Sequence, residues 1–224
     1  MDKIKLWQNV SDNIQFFTYK TRFRIPEESG LYAWYLPFHI WNGDISKAVN
    51  FYQAAMLYDS GVGDKNKQFE STGKAKRENE FKFNWDRINV SIEKLPSTRR
   101  TDFPNWNKLK ADEESYKSIE EALMKATILS RPLYVGRAKD IKVRYNDHIN
   151  GNSGFYKRFS AFIDDFNQNI KIESTEDKTI PLKITDLIFA ALPIGNVLET
   201  FDEDSTTLIE SVLMNIIQPP FSRN

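Results

Sequence analysis

Three short apolar segments lie far apart in this chain, and their isolation constrains the fold more than any other feature. Leu31-Tyr32-Ala33-Trp34-Tyr35-Leu36 follows a turn over residues 26–30 and stops at Pro37. Pro132 to Gly136 forms the second, and residues 186–194, Asp-Leu-Ile-Phe-Ala-Ala-Leu-Pro-Ile, the third. Apolar runs of this length, bounded by proline and glycine, read as buried strands. Helical spacing follows the second. Asp140 opens a helix that runs to Asn150 and stops at Gly151, and Phe155, Phe159, Phe162, Ile163 and Phe166 mark another. Leu208, Ile209, Val212, Leu213, Ile216 and Ile217 share one face of a last helix, capped by Asp204 or Ser205 and ended by Pro219-Pro220. The core order is therefore strand, strand, helix, helix, strand, helix.

Nearly a hundred residues separate the first two strands. Within them, residues 44–58 have helical spacing with Asp44 as the cap, and residues 60–80 read as an exposed Gly-, Lys- and Ser-rich loop. Phe81, Phe83 and Trp85 alternate, as do Ile88, Val90 and Ile92, which predicts a hairpin broken at Asp86-Arg87. A loop with Pro96 and Pro104 leads to helical spacing over 113–129. Before the first strand, residues 13–25 read as a strand or a short helix-strand unit. The expected domains are a core from 1–36 and 131–224, with an inserted α/β subdomain over 37–130.

A chain of 224 residues, 40% hydrophobic and 13% aromatic, has enough apolar surface for a packed core of this kind. Its formal net charge is zero, so any nucleic-acid binding must come from a local patch. Cysteine is absent, which excludes disulfides, thiolate-bound zinc and thiol catalysis. No apolar run reaches signal-peptide or membrane-spanning length, so the expectation is a cytoplasmic protein with no membrane partner.

Gly30-Leu31-Tyr32 and Tyr134-Val135-Gly136 place a tyrosine and a glycine on each of the first two strands. Arg144 lies eight positions beyond Gly136, and His148 four beyond Arg144. Residues four apart share a helix face, so both would point across the tyrosine strands. Glu210 falls on the last helix, just beyond the edge of its apolar arc at about 100° per residue. In order and spacing these residues resemble the GIY-YIG nuclease superfamily. Arg137 stands where that family usually has a basic residue after the glycine. Asn224, after Pro219-Pro220, resembles the family's closing asparagine.

The resemblance implies an α+β fold: a small central antiparallel three-stranded sheet flanked by helices, with the two tyrosine strands as neighbours. The 102 positions between Tyr32 and Tyr134 depart from the family's short connection. Loop closure grows only with the logarithm of length, so the excursion is tolerable. The implied activity is metal-dependent hydrolysis of DNA phosphodiesters by a compact restriction- or defence-type endonuclease. Tyr32 would serve as general base, Tyr134 would position water or phosphate, and Arg144 would stabilise charge on the phosphoryl oxygens. His148 would orient the phosphate or the tyrosine, and Glu210 would hold one Mg²⁺ or Mn²⁺ per active site. The expected ends are a 5′ phosphate and a 3′ hydroxyl, and cutting both strands would call for a homodimer.

Each residue also has an ordinary reading. Gly-Leu-Tyr and Tyr-Val-Gly are common in core strands, Arg144 and His148 suit a solvated helix, and Glu210 suits a first helical turn. His39 reads as part of an aromatic cluster after Pro37. A catalytically inactive nucleic-acid-binding or interaction module on the same fold is the alternative function. An unrelated α/β protein with chance motifs would leave Tyr32 and Tyr134 far apart.

The insertion carries the one charge imbalance that suits DNA. Between residues 71 and 111, Lys74, Lys76, Arg77, Lys82, Arg87, Lys94, Arg99, Arg100, Lys108 and Lys110 oppose five acids. Trp85, Phe103 and Trp106 are interleaved. The excess suits a phosphate backbone, and the same residues also suit a solvated loop.

Overall fold

The structure, a computed structural model, describes residues 13–58, 70–73, 81–84, 103, 105–173, 180–194 and 203–222. It is an α+β protein. The strands in chain order are β1 (Gln15–Phe17), β2 (Gly30–Tyr35), β3 (Glu70–Gly73), β4 (Phe81–Asn84), β5 (Tyr134–Ala138) and β6 (Ile188–Pro193). The helices are α1 (Ile45–Leu57), α2 (Trp106–Ala111), α3 (Glu113–Ala126), α4 (Ile141–Ile149), α5 (Gly154–Glu173) and α6 (Glu203–Ile217).

The three apolar segments do pair, and all their pairings are antiparallel. The sheet order is β1-β6-β2-β5, so it has four strands where three were expected. The extra strand is β1, where Gln15↔Ala191 and Phe17↔Phe189 extend the sheet beyond β6. Three residues of partial alternation are too short to declare a strand by themselves. Phe17 joins because its ring is buried against Phe189, 6.5 Å away between centroids.

Side chains alternate across a strand, so the register assigns the faces. Tyr32 opposes Gly136 and Ala191, and Trp34 opposes Tyr134 and Phe189. This face is aromatic. Trp34 is buried, stacks on Tyr145 at 5.4 Å and meets Phe189 edge-on at 4.9 Å. Tyr134 lies 5.0 Å from Phe155. Tyr145 comes from α4 and Phe155 from α5, so both helices close over this face. On a sheet this small, large rings supply the buried area that aliphatic side chains would need more positions to match.

The insertion is partly continuous with this core. In α1, Phe51 and Ala55 are buried in the same cluster, and Phe51 meets Phe166 edge-on at 4.9 Å. The Asp44 carboxylate accepts from Lys47 N at 2.9 Å, which fixes the start of α1 as the sequence predicts. Further on, Trp106 Nε1 donates to Gly43 O (2.9 Å), and Phe38 N donates to Thr127 Oγ1 (3.1 Å). The segment around Pro104, expected as loop, thus gives way to α2 at Trp106, whose indole needs the Gly43 carbonyl.

Phe81–Asn84 is a strand as expected, and among the described residues it pairs with Glu70–Gly73, which corrects the reading of that segment as exposed loop. A Glu-Ser-Thr-Gly run shows no apolar alternation, so periodicity could not announce it. Residues 88–92, the expected second arm, lie outside the described residues.

The last helix differs as well. It begins at Glu203, ahead of the expected cap. Of its expected apolar face, Leu208, Val212 and Ile216 are 66%, 46% and 75% exposed. Ile209, Leu213 and Ile217 are partly covered instead, so the docked side is rotated relative to the apolar arc.

Candidate active site

The two glycines of the tyrosine motifs are places where a side chain does not fit. A Cβ on Gly136 would lie 2.6 Å from the Tyr32 hydroxyl and 2.9 Å from Tyr134 Cε1. A Cβ on Gly30 would lie 2.3 Å from the Leu192 carbonyl oxygen and 2.8 Å from Ile141 Cδ1. Real Cβ atoms do not tolerate such approaches. Gly136 therefore makes room for the Tyr32 phenol on the neighbouring strand, and Gly30 lets β6 and α4 close on the start of β2. The rings of Tyr32 and Tyr134 stack with centroids 5.9 Å apart. The two tyrosines are neighbours, where the chance-motif reading expected them far apart.

The other two residues of the set arrive on α4. The Asp140 carboxylate accepts from Val143 N at 2.9 Å, which sets the first turn. The next turns place Arg144 and His148 over the phenol. Arg144 Nε donates to Tyr32 Oη at 3.2 Å, and His148 Nε2 lies 2.9 Å from the same oxygen. The other imidazole nitrogen, Nδ1, is 2.7 Å from Ser153 Oγ, which accepts from Tyr156 N at 3.1 Å. Four of the expected residues thus meet around one phenol oxygen. Nothing in the spacing motif pointed to Ser153; its signal was a serine immediately before the Gly154 helix start.

Burial sets the electrostatics. His148 is wholly buried. Desolvation, followed by the Arg144 and Arg158 guanidinium charges, pushes its pKa down to about 3, so it is neutral near pH 7. Its ring lies edge-on to Trp34, Tyr134 and Phe155 at 5.8, 5.5 and 5.5 Å. Its two ring nitrogens meet Ser153 and Tyr32 within the core. Tyr32 is also almost fully covered. Desolvation raises its phenol well above the usual value of 10, Tyr134 adds to that, and Arg144 opposes it. Arg144 keeps about a third of its side chain exposed and also lies 3.6 Å from the Asp147 carboxylate. It is the charged member of the group that can meet both the phenol and a ligand.

Glu210 is held differently. Its carboxylate accepts from Arg137 Nε at 3.0 Å, with side-chain exposures of 27% and 33%. Helix α6 packs on β5 and β2, so the acid is docked on the strand that carries Tyr134. Arg137 opposes Leu31 in the register and so projects from the face opposite Tyr134 and Gly136. The pair flanks β5, which is an edge strand of the sheet.

The remaining residues divide by position. Asn224 lies outside the described residues, as do Lys74, Lys76, Arg77, Arg87, Arg99 and Arg100. Lys108 and Lys110 are exposed on α2. His39 pairs with Glu120 at 3.0 Å and meets Trp41 edge-on, consistent with its reading as a member of an aromatic cluster.

No protein-family profile, no curated protein and no solved structure matches this chain. The functional assignment therefore rests on the geometry of these residues. No described helix is long and apolar enough to cross a membrane.

Proposed function

We propose that this chain is a metal-dependent DNA endonuclease of the GIY-YIG kind, restriction- or defence-type in role. The observation that carries the reading is the convergence of Arg144, His148 and Tyr134 on the Tyr32 phenol, across strands joined by an excursion of about a hundred residues. A structural core could bury two stacked tyrosines with no need for a guanidinium and an imidazole on one hydroxyl. A guanidinium donor and an imidazole nitrogen on one phenol oxygen are groups that can take part in activating it.

In the proposed reaction the Tyr32 oxygen takes a proton from water as the water oxygen bonds to phosphorus and the bond to the 3′ oxygen breaks. The 3′ oxygen leaves with a proton from solvent. Arg144 donates to the phosphoryl oxygens as charge gathers on them, where a positioned donor is worth about 10²–10³ in rate. Tyr134 lines the same face and positions the water or phosphate. The phenol must lose its proton first, and burial opposes that. Arg144 supplies the compensating charge from within the protein.

Glu210 offers a hard oxygen donor of the type Mg²⁺ and Mn²⁺ take, with water filling the rest of the shell. Such an ion would neutralise charge on the scissile phosphate. Its residue is engaged with Arg137, but an ion pair this exposed is worth about 0–1 kcal/mol, too little to bar exchange for a divalent ion. The basic residues of the insertion are the proposed DNA contacts, and a homodimer would bring two sites to the two strands.

The Arg137–Glu210 pair also favours a second reading, a non-catalytic DNA- or protein-binding module on this fold, because the acid already has a partner. Incubation with plasmid and phage DNA plus Mg²⁺ or Mn²⁺, followed by end mapping, separates the two. Cleavage to 5′-phosphate and 3′-hydroxyl ends, lost in Glu210→Ala, supports the nuclease. Uncut DNA with binding indifferent to Glu210→Ala supports the module.

A further inference from the structure

We infer that Ser153 is a positioning residue that fixes His148 in its Nε2–H form, so that the imidazole donates to the Tyr32 oxygen. The inference comes from counting donors and acceptors. A neutral imidazole has one N–H and one bare nitrogen, and the two nitrogens face Ser153 Oγ and Tyr32 Oη at 2.7 and 2.9 Å. Two directions satisfy those distances. The proton chain can run from Tyr32 through His148 to Ser153, or from Ser153 through His148 to Tyr32.

The surroundings of Ser153 choose between them. Its hydroxyl is buried and already accepts the Tyr156 backbone N–H, as the cap of α5. If Nδ1–H also donated to it, both lone pairs would be filled and the hydroxyl proton would need another acceptor. Among the described residues, His148 Nδ1 is the only acceptor in reach of that proton. A buried hydroxyl donor left without an acceptor is costly, so the proton goes to Nδ1, and Nε2 carries the imidazole hydrogen. The Tyr32 oxygen then receives two N–H donors, from His148 and from Arg144. Its own proton is left for the Tyr134 hydroxyl, which acts on the Tyr32 phenol as a side-chain hydrogen-bond partner.

In this arrangement Arg144 offsets part of the burial that raises the Tyr32 phenol. An oxygen held by two nitrogen donors gains strength from both when it becomes an anion. With the opposite direction, the phenol would be tied to an imidazole whose pKa is already pushed down to about 3, a poor proton acceptor. The groups facing His148 are Tyr32 from β2, Tyr134 from β5, Arg144 on its own helix, and Ser153 with Arg158 from the start of α5. Among them, Ser153 is the one with a proton to give to Nδ1.

The geometric claim stands without the nuclease reading; its catalytic consequence rests on that reading. The test uses the full chain with ¹⁵N-labelled histidine. The chain has two histidines, and His39→Gln, in the insertion, leaves His148 as the single signal. Long-range ¹H–¹⁵N correlations at neutral pH should show a protonated Nε2 and a bare Nδ1, in the wild type and in Ser153→Thr. Ser153→Asp keeps an acceptor for the Tyr156 N–H but has no proton to offer, and should move the hydrogen to Nδ1. A wild-type spectrum with Nδ1–H and bare Nε2 overturns the inference, whether or not the Asp variant folds. So does a folded Ser153→Asp that keeps the wild-type pattern. In cleavage assays Ser153→Asp should lose about 10–100-fold while Ser153→Thr stays near wild type. DNA left uncut by every form, wild type included, would count against the nuclease and leave the tautomer result standing.

Discussion

The Tyr32 cluster and the Arg137–Glu210 pair are built on different terms. Around Tyr32 every group is buried or half-buried, and each makes a hydrogen bond to the next, from Arg144 through the phenol and His148 to Ser153 and the α5 backbone. At Glu210 a part-buried ion pair to Arg137 lies beside the packing of α6 on β5 and β2, and Leu208, Val212 and Ile216 face outward. The first is set by folding and changes little unless the core changes. The second is held by an interaction worth about 0–1 kcal/mol, which a ligand can rearrange. The fold fixes the Tyr32 phenol among its partners and leaves the Arg137–Glu210 pair open to exchange.

Substitutions that affect the two alike would break this comparison. The largest expected effect is on chemistry. Arg144→Ala should lower cleavage about 10²–10³-fold in single-turnover assays while far-ultraviolet dichroism stays that of the wild type. Next is pH. His148 is held neutral in the folded chain, its pKa lowered to about 3, whereas in the unfolded chain it binds a proton below about 6.5. The unfolded state therefore binds more protons between those values. Its contribution to stability is complete above about pH 6.5 and falls away as pH drops toward 3, by roughly 4–5 kcal/mol across the window. Urea melts from pH 7 to pH 4 should show the loss, and His148→Gln should flatten that part of the slope.

Third is packing. Gly136→Ala should cost about 1–3 kcal/mol, because its methyl meets the Tyr32 hydroxyl and the Tyr134 ring, which would have to shift. The smallest effect falls at the ion pair. Glu210→Ala should change stability by less than about 1 kcal/mol in the same melts. A loss of several kcal/mol there would show the acid to be as structurally committed as the phenol, and the contrast would fail.

What could be read beforehand follows the range of the interactions. The i, i+4 pair Arg144 and His148, the Asp140 and Asp44 caps and the three apolar strands are local patterns, and the structure has them where the sequence places them. Partners across long separations were not legible. Arg137 and Glu210 are 73 residues apart, and no periodicity relates them. The same holds for β1, whose three residues become a strand by pairing with β6, and for Glu70–Gly73, which pairs with Phe81–Asn84 without an apolar pattern. On α6 the arc of apolar residues was visible, but which part of it docks depends on β5 and β2. Ser153 was not singled out in the sequence, because its bond to His148 depends on the turn that brings α5 back over α4.

The central claim is that the Tyr32 oxygen accepts the proton of the attacking water. Single-turnover cleavage of DNA with Mg²⁺ by wild type and Tyr32→Phe tests it most directly. The expected result is a fall of about 10²–10⁴-fold in a variant that still folds and still binds DNA. A folded Tyr32→Phe protein that cuts at the wild-type rate would contradict it.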